Sequence, residues 1–187
     1  MMKALIPFAA LMALAACSSP TLYTAEAPVP LDQRASIAFS TVEVAELSLP
    51  RYASGPDIYS EGAGGALTAM SGVNWADDPA PAMTASLVQV LTGMTGARIA
   101  AEPWPFRSFP QVRVEVRVTT MVARENAGFV MIGQYYIAGQ EDGLRERARP
   151  FAVQIPMRDG YDAADIAAAR GLAVAELGRQ IIAGGLS

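Results

Sequence analysis

The sequence contains no histidine, one cysteine and one lysine. Without histidine there is no imidazole base, no imidazole metal ligand and no Ser-His or Cys-His nucleophile. A single thiol can form neither an internal disulfide nor a multi-thiolate zinc site. The lysine is Lys3, so every basic group after it is an arginine. Thirteen arginines against 18 acidic residues leave a net charge of −5 beyond that lysine. Such a balance makes nucleic acid and an anionic membrane surface poor electrostatic partners. What chemistry remains would be carboxylate-based. The acidic clusters are Asp77-Asp78, Glu141-Asp142 and Asp162 with Asp165. The first and last fall at predicted helix starts and the middle one in a turn, so capping and turn formation account for them. No catalytic residue, metal site or cofactor is expected, and a carboxylate-dependent hydrolase is the weakest of the functional readings.

Residues 1–17 carry the clearest signal. Met1-Met2-Lys3 is a short positive start, and residues 4–14 form an apolar run broken only by Pro7. That run falls short of the roughly 18 residues needed to span a bilayer and suits a secretory leader. Leu14-Ala15-Ala16-Cys17 then places two small residues before the one cysteine. We read residues 1–16 as a lipoprotein signal peptide and Cys17 as the lipidated mature N-terminus. Several acyl chains anchor stably where one is marginal, at about 0.8 kcal/mol per buried methylene. By likeness to bacterial lipoproteins in general, Ser18, which is not aspartate, favours the outer membrane, with the domain on its periplasmic face.

Residues 17–35 read as a flexible tether with Pro20, Pro28 and Pro30, spanning on the order of 55 Å if extended. Within it Leu22-Tyr23 is an apolar pair able to dock on the domain edge. Residues 36–187 form one domain, a size that supports a proper core. Ile37, Phe39, Val42 and Val44 predict a strand over 36–46. Two short strands, 57–60 and 66–70, flank a glycine-rich turn and predict a hairpin, with 71–75 leading into a helix. Pro79 and Pro81 fit the first turn of that helix, Met83, Leu87, Val90, Leu91 and Met94 give its apolar face, and Gly96 ends it. A short strand follows at 98–101.

Residues 102–110, EPWPFRSFP, are too rich in proline for regular structure and read as a packed or exposed loop. Over 111–122, Val112, Val114, Val116 and Val118 alternate with Arg113, Glu115, Arg117 and Thr119, which is a strand with one wet face. Strands over 129–138 and 144–156 complete a meander, with Pro150 predicted to break the last one. Ile166, Ala169, Ala173, Leu177 and Ile181 form the stripe of a final helix, with Arg170 and Arg179 read as lying off it. The expected class is therefore α+β: a mainly antiparallel sheet with two long amphipathic helices packed on one face.

These features fall in an order that resembles a known family. They run from the lipobox and Leu22-Tyr23 through Val42-Glu43-Val44, Leu49-Pro50-Arg51-Tyr52, Ile58-Tyr59 and Asn74-Trp75-Ala76. They end with Pro150-Phe151 and Gly160-Tyr161-Asp162. The chain resembles the ABC-type transport auxiliary lipoproteins, the family of paraquat-inducible protein C. It departs from that pattern at Ala53, Ser60 and Asp77-Asp78-Pro79. The resemblance implies a docking or conduit subunit of an envelope lipid transport system, partnered by an ABC transporter and a mammalian-cell-entry-domain protein. It also implies a homo-oligomeric ring.

Two proline-stiffened aromatic stretches are the candidate partner contacts: Pro50, Arg51, Tyr52 and Tyr59 in one, Trp104 and Phe106 in the other, with Trp75 between them. Aromatics beside arginine are what interface centres favour. The alternative function is a stand-alone lipoprotein that holds a lipid or small apolar ligand among these aromatics. If Cys17 carries the anchor, Cys17→Ser moves the protein from the membrane to the soluble envelope fraction with its thermal midpoint unchanged. A variant that stays with the membrane would refute the anchor.

Overall fold

The computed structural model describes residues 19–30, 34–140, 143–144 and 146–187. The predicted leader, Cys17, Glu141-Asp142 and Arg145 lie outside them. Eight strands and two helices follow in chain order: β1 (Thr21–Tyr23), β2 (Thr41–Val44), β3 (Asp57–Glu61), β4 (Leu67–Trp75), α1 (Pro79–Thr95), β5 (Arg98–Ala101), β6 (Val112–Arg124), β7 (Gly128–Gly139), β8 (Arg147–Ile155) and α2 (Ala163–Ile181).

β6 is the spine. Its alternating valines Val112, Val114 and Val116 are fully buried and Val118 nearly so. Each such side chain contributes about 1.5–3 kcal/mol on burial. Both helices pack with this face in a single core. From α1 come Met83, Leu87, Val90 and Leu91, and from α2 Ile166, Ala173, Leu177 and Ile181. The small residues of α2 allow close approach: a Cβ on Gly178 would strike Val90 of α1. No described helix is long and apolar enough to cross a membrane.

The meander forms as its turns require. β7 runs antiparallel to β6 from Arg124↔Gly128 to Val112↔Gly139, and β8 runs antiparallel to β7. The rest of the sheet corrects the expectation of a mainly antiparallel one. It is a curled sheet of mixed direction. β2 lies parallel to the start of β6, Val42↔Val112 to Val44↔Val114, and β5 lies parallel to β2. β3 lies parallel to the end of β6, Ser60↔Ala123 and Glu61↔Arg124. β2 and β3 are thus two pieces of one interrupted strand along the same edge of β6, with a single parallel bridge, Ser48↔Arg117, between them. β4 pairs antiparallel with β3, and β1 pairs parallel with β4. Parallel neighbours need crossover connections. Here the hairpin and α1 come between β2 and β5, which no local periodicity discloses.

Other corrections are local. β4 extends through residues 71–75, read from sequence only as a lead-in to the helix. The strand expected over 36–46 is confined to Thr41–Val44. Its upstream part is held by the ends of the helical segments instead, with Ala35 N–H donating to Met94 O and Ala38 N–H to Leu186 O, each at 2.8 Å. Pro150 does not break β8, which is an edge strand paired only with β7 and so tolerates a missing amide donor. Arg147 instead uses its inward parity to donate to Gly185 O and Ser187 O, at 2.5 and 2.9 Å, at the carbonyl-rich end of the last helical turn.

The segment read as tether is partly folded. Thr21–Tyr23 is β1, and Leu22-Tyr23 does meet the sheet edge, in register with Asn74 and Trp75. Beyond it Ala25, Ala27 and Val29 rest on the core. This part of the chain crosses α2 at Gly171, where a Cβ would fall on the Glu26 carbonyl oxygen. Gly171→Ala is therefore expected to push residues 24–29 off the helix. We expect a loss of about 1–3 kcal/mol in urea unfolding, together with faster proteolysis within that segment.

Candidate functional site: two aromatic contact surfaces

The sequence-selected residues divide into two groups. Tyr52, Tyr59 and Trp75 come together around a small cavity that Met121, Phe129 and Ile166 also line. Trp104 and Phe106 form a separate surface at the start of β6.

In the first group, Leu49-Pro50 ends the chain's run beside β6, and Arg51–Ala53 makes one 3-10 turn. The turn swings Tyr52 into the gap between β2 and β3, where β6 lacks a neighbouring strand. There the Tyr52 hydroxyl accepts from the Met121 N–H at 3.0 Å. The side chain thus substitutes for a missing ladder partner. Tyr59 stands edge-on to Tyr52 with ring centroids 6.1 Å apart. Arg51 is exposed and Pro50 half-buried. The cavity among these rings measures about 10 Å³, room for at most one water. It cannot take an acyl chain.

Trp75 is buried, and the reason was missed from sequence. Arg170, read as lying off the apolar stripe of α2, is only 3% exposed. Its guanidinium stacks on the Trp75 ring, 3.7 Å from the centroid, and its Nε and Nη1 have no hydrogen-bond partner among the described residues. Burial pushes the guanidinium down to about 10, with Asp77 opposing that shift. Arg170 is therefore still charged at neutral pH. Spacing carried the signal: Arg170 is four residues after Ile166 and three before Ala173, on the buried face. Its charge argued the other way.

The second surface is residues 102–110. The parallel register places Glu43 of β2 opposite Arg113 of β6 on the outer face of the sheet. Arg113 Nη1 meets Glu43 Oε2 at 2.5 Å, and Nη2 pairs with Glu102. Glu102 Oε1 accepts from Glu46 N–H at 2.8 Å, and Glu43 Oε1 accepts from Trp104 N–H at 3.1 Å. The Glu46 amide, then Arg113, hold the Glu102 carboxyl below the usual glutamate range. At the other end Gln111 Oε1 accepts from Ser40 N–H at 2.7 Å. Within the loop, Trp104 Nε1 donates to Ser108 O at 2.5 Å. Phe106 stands edge-on to Trp104 at 5.0 Å, and Arg98 lies over Phe106 at 5.1 Å. A loop pinned at both ends thus displays Phe106 at 43% and Phe109 at 87% exposure. Phe109, the most exposed of these rings, was not singled out from sequence, because composition does not tell which aromatic of such a loop turns outward.

Among the described residues no group of acidic or sulfur side chains is placed to hold a metal. Asp77 and Asp78 are exposed. Asp78 is the N-cap of α1 by position, although its side chain makes no capping bond. Asp162 and Asp165 form a reciprocal capping box at α2. A cleft of about 410 Å³ separates Tyr23–Ala27 from α1, with Asp77 and Arg170 at its wall.

Residues 21–182 match the family model described as ABC-type transport auxiliary lipoprotein component. A crystal structure of a Xanthomonas campestris protein of the family DUF330 is similar, with 19% identity and a TM-score of 0.72. The match covers 89% of this chain and 94% of that one. The crystal structure of an uncharacterized protein matches at 15% identity and a TM-score of 0.67, over 88% of this chain and 97% of that one. At these identities the likeness is one of fold. No curated protein matches the chain.

Three outcomes are expected. Tyr52→Phe leaves the Met121 amide without its acceptor and costs about 1–3 kcal/mol in chemical unfolding. Arg170→Met keeps volume and removes a buried charge, so stability stays within about 2 kcal/mol of the parent; a larger loss would mean that the guanidinium is paired. Because the folded state lowers the pKa of Glu102, its contribution holds above the ordinary glutamate range and is lost as pH falls through the lowered value. In a Trp75→Phe background, Trp104 fluorescence should change with acid, and Glu102→Gln should abolish that transition.

Proposed function

The chain belongs to the ABC-type transport auxiliary lipoprotein family, and from that premise we propose that it is a non-enzymatic docking subunit for envelope lipid transport. In this reading lipidated Cys17 holds it at the periplasmic face of the outer membrane. The partner it receives there is a mammalian-cell-entry-domain protein of an ABC lipid transporter. The observation that carries the reading is the loop over 102–110. Two strands, β2 and β6, and four charged or polar side chains, Glu43, Glu102, Gln111 and Arg113, hold it in place. What they hold outward is Phe106 and Phe109, which contribute nothing to the core. Ordered aromatics beside Arg98 and Arg107 suit the desolvated centre of a protein interface. Arg51, exposed on its proline-stiffened turn, is a second contact of this kind. Trp75 and Tyr52 line the cavity beneath that turn. Assembly of copies into a ring would repeat the loop around one axis and multiply weak contacts.

Affinity purification from solubilised envelopes tests the reading. It is expected to recover a mammalian-cell-entry-domain protein together with the intact chain. Trp104→Ala or Phe109→Ala should cut that recovery, with a loss of about 1–4 kcal/mol in binding for a central anchor and an unchanged thermal midpoint. Arg51→Glu should weaken it less. Absence of any such partner, with normal outer-membrane barrier function in a deletion strain, would overturn the proposal.

A further inference from the structure

We propose that the tip of the β3–β4 hairpin rests on the bilayer that holds the lipidated N-terminus, so that this contact sets the orientation of the domain. The inference rests on the lipidation read for Cys17.

Residues 62–73 read GAGGALTAMSGV, twelve residues without a charge or an aromatic ring. They are exposed apart from half-buried Met70 and Val73, and Leu67 at the tip is 40% exposed. One edge of β4 pairs with β3, and among the described residues the other is covered by β1 only at Val73–Trp75. An uncharged, uncovered stretch of edge is what soluble surfaces normally avoid. Something is expected to lie against it.

The register gives the direction of the chain that leads to the anchor. β1 is parallel to β4, which is antiparallel to β3, and β3 is parallel to β6. Going backward from Thr21, the chain therefore heads toward the C-terminal end of β6, where the hairpin turns. Thr21 is level with Val73, and Asn74 is level with Asp57. From Asp57 to the turn at Glu61 is four residues, about 13 Å along a strand. From Thr21 to Cys17 is also four residues, a reach of about 13 Å when extended. The acyl chains and the hairpin tip can thus share one plane, and the short link holds the anchor within reach of this end of the domain.

Neighbouring charges limit the depth of contact. Arg124 pairs with Glu61 at 3.0 Å, where β3 enters the hairpin turn. Glu125, Arg158 and Asp159 are exposed around the adjoining β6–β7 turn. Ala63, Ala66 and Leu67 reach the headgroup and upper acyl region, and these charges stay with the headgroups. Affinity need only be slight, because the anchor already supplies a high local concentration of bilayer. The aromatic loop lies beside Arg113, eleven residues along β6 from Arg124 and about 36 Å away. With the hairpin down, that loop faces away from the membrane.

The introduced thiol in Ala63→Cys or Ala66→Cys can be labelled selectively in the full lipoprotein, since Cys17 is blocked by lipid. The protein, carrying an environment-sensitive fluorophore at one of these sites, is reconstituted into vesicles of phosphatidylethanolamine and phosphatidylglycerol. Ala148→Cys, on the exposed edge near the opposite end of β8, is the control. At 63 or 66 we expect a blue shift, quenching by lipid-borne spin label and a several-fold fall in quenching by aqueous iodide; at 148 we expect none of these. Full iodide access at both hairpin sites, with the mass of the N-terminal peptide confirming lipidation, overturns this inference alone. Shielding that appears only when a partner protein is added also overturns it and assigns the edge to that protein. An unmodified Cys17 overturns the anchor and this inference together.

Discussion

The backbone of β6 is the constraint on which the rest of the structure depends. Its thirteen residues, with valines on one side and charges on the other, present two edges whose amides and carbonyls need partners. β7 pairs with one edge from Val112 to Arg124, with a single register shift between Val118 and Thr120. The other is shared by β2, the Ser48 bridge, the Tyr52 hydroxyl and β3. Because the sharing is in pieces, the chain can leave the sheet at Pro50, return at Asp57 and place an aromatic pair in the interruption. The position of Tyr52 is thus a consequence of hydrogen-bond satisfaction along a strand nearly seventy residues later in the chain.

The length of β6 also separates two surfaces. At its start, the cross-strand pair of Glu43 and Arg113 and the partnering of Glu102 hold the loop over 102–110. At its end lie the uncharged hairpin and the direction from which the N-terminus arrives. A domain organised in this way can meet a membrane at one end and a protein at the other without moving parts. Neither role needs a pocket. The small cavity under Tyr52, Tyr59 and Trp75 is consistent with a subunit that acts by contact.

Arg170 stands apart from that economy. A buried guanidinium with two nitrogens unpartnered among the described residues carries a desolvation cost, which its stacking on Trp75 opposes. The pair ties α2 to the end of β4 and to the segment that leads back to the N-terminus. Trp75 therefore belongs to the support of the fold at that end, whereas Phe109 belongs to its surface.

What can be read from sequence here is what depends on neighbours along the chain. The valine alternation of β6, the apolar stripes of the two helices, the prolines opening α1, Gly96 closing it and the capping box at Asp162 all arise from interactions within a few residues. The direction of the sheet, the use of Thr21–Tyr23 as a strand, the continuity of β8 through Pro150, the burial of Arg170 and the outward turn of Phe109 were decided only by tertiary structure. Each depends on a partner tens of residues away, and local pattern is blind to which distant edge, ring or carbonyl a residue will meet. The sequence by itself determined the two helices, the long strand β6 with the meander that follows it, and the lack of any imidazole or second thiol. Only the fold decided which of their faces meet, because hydrogen-bond and packing partners are chosen in space.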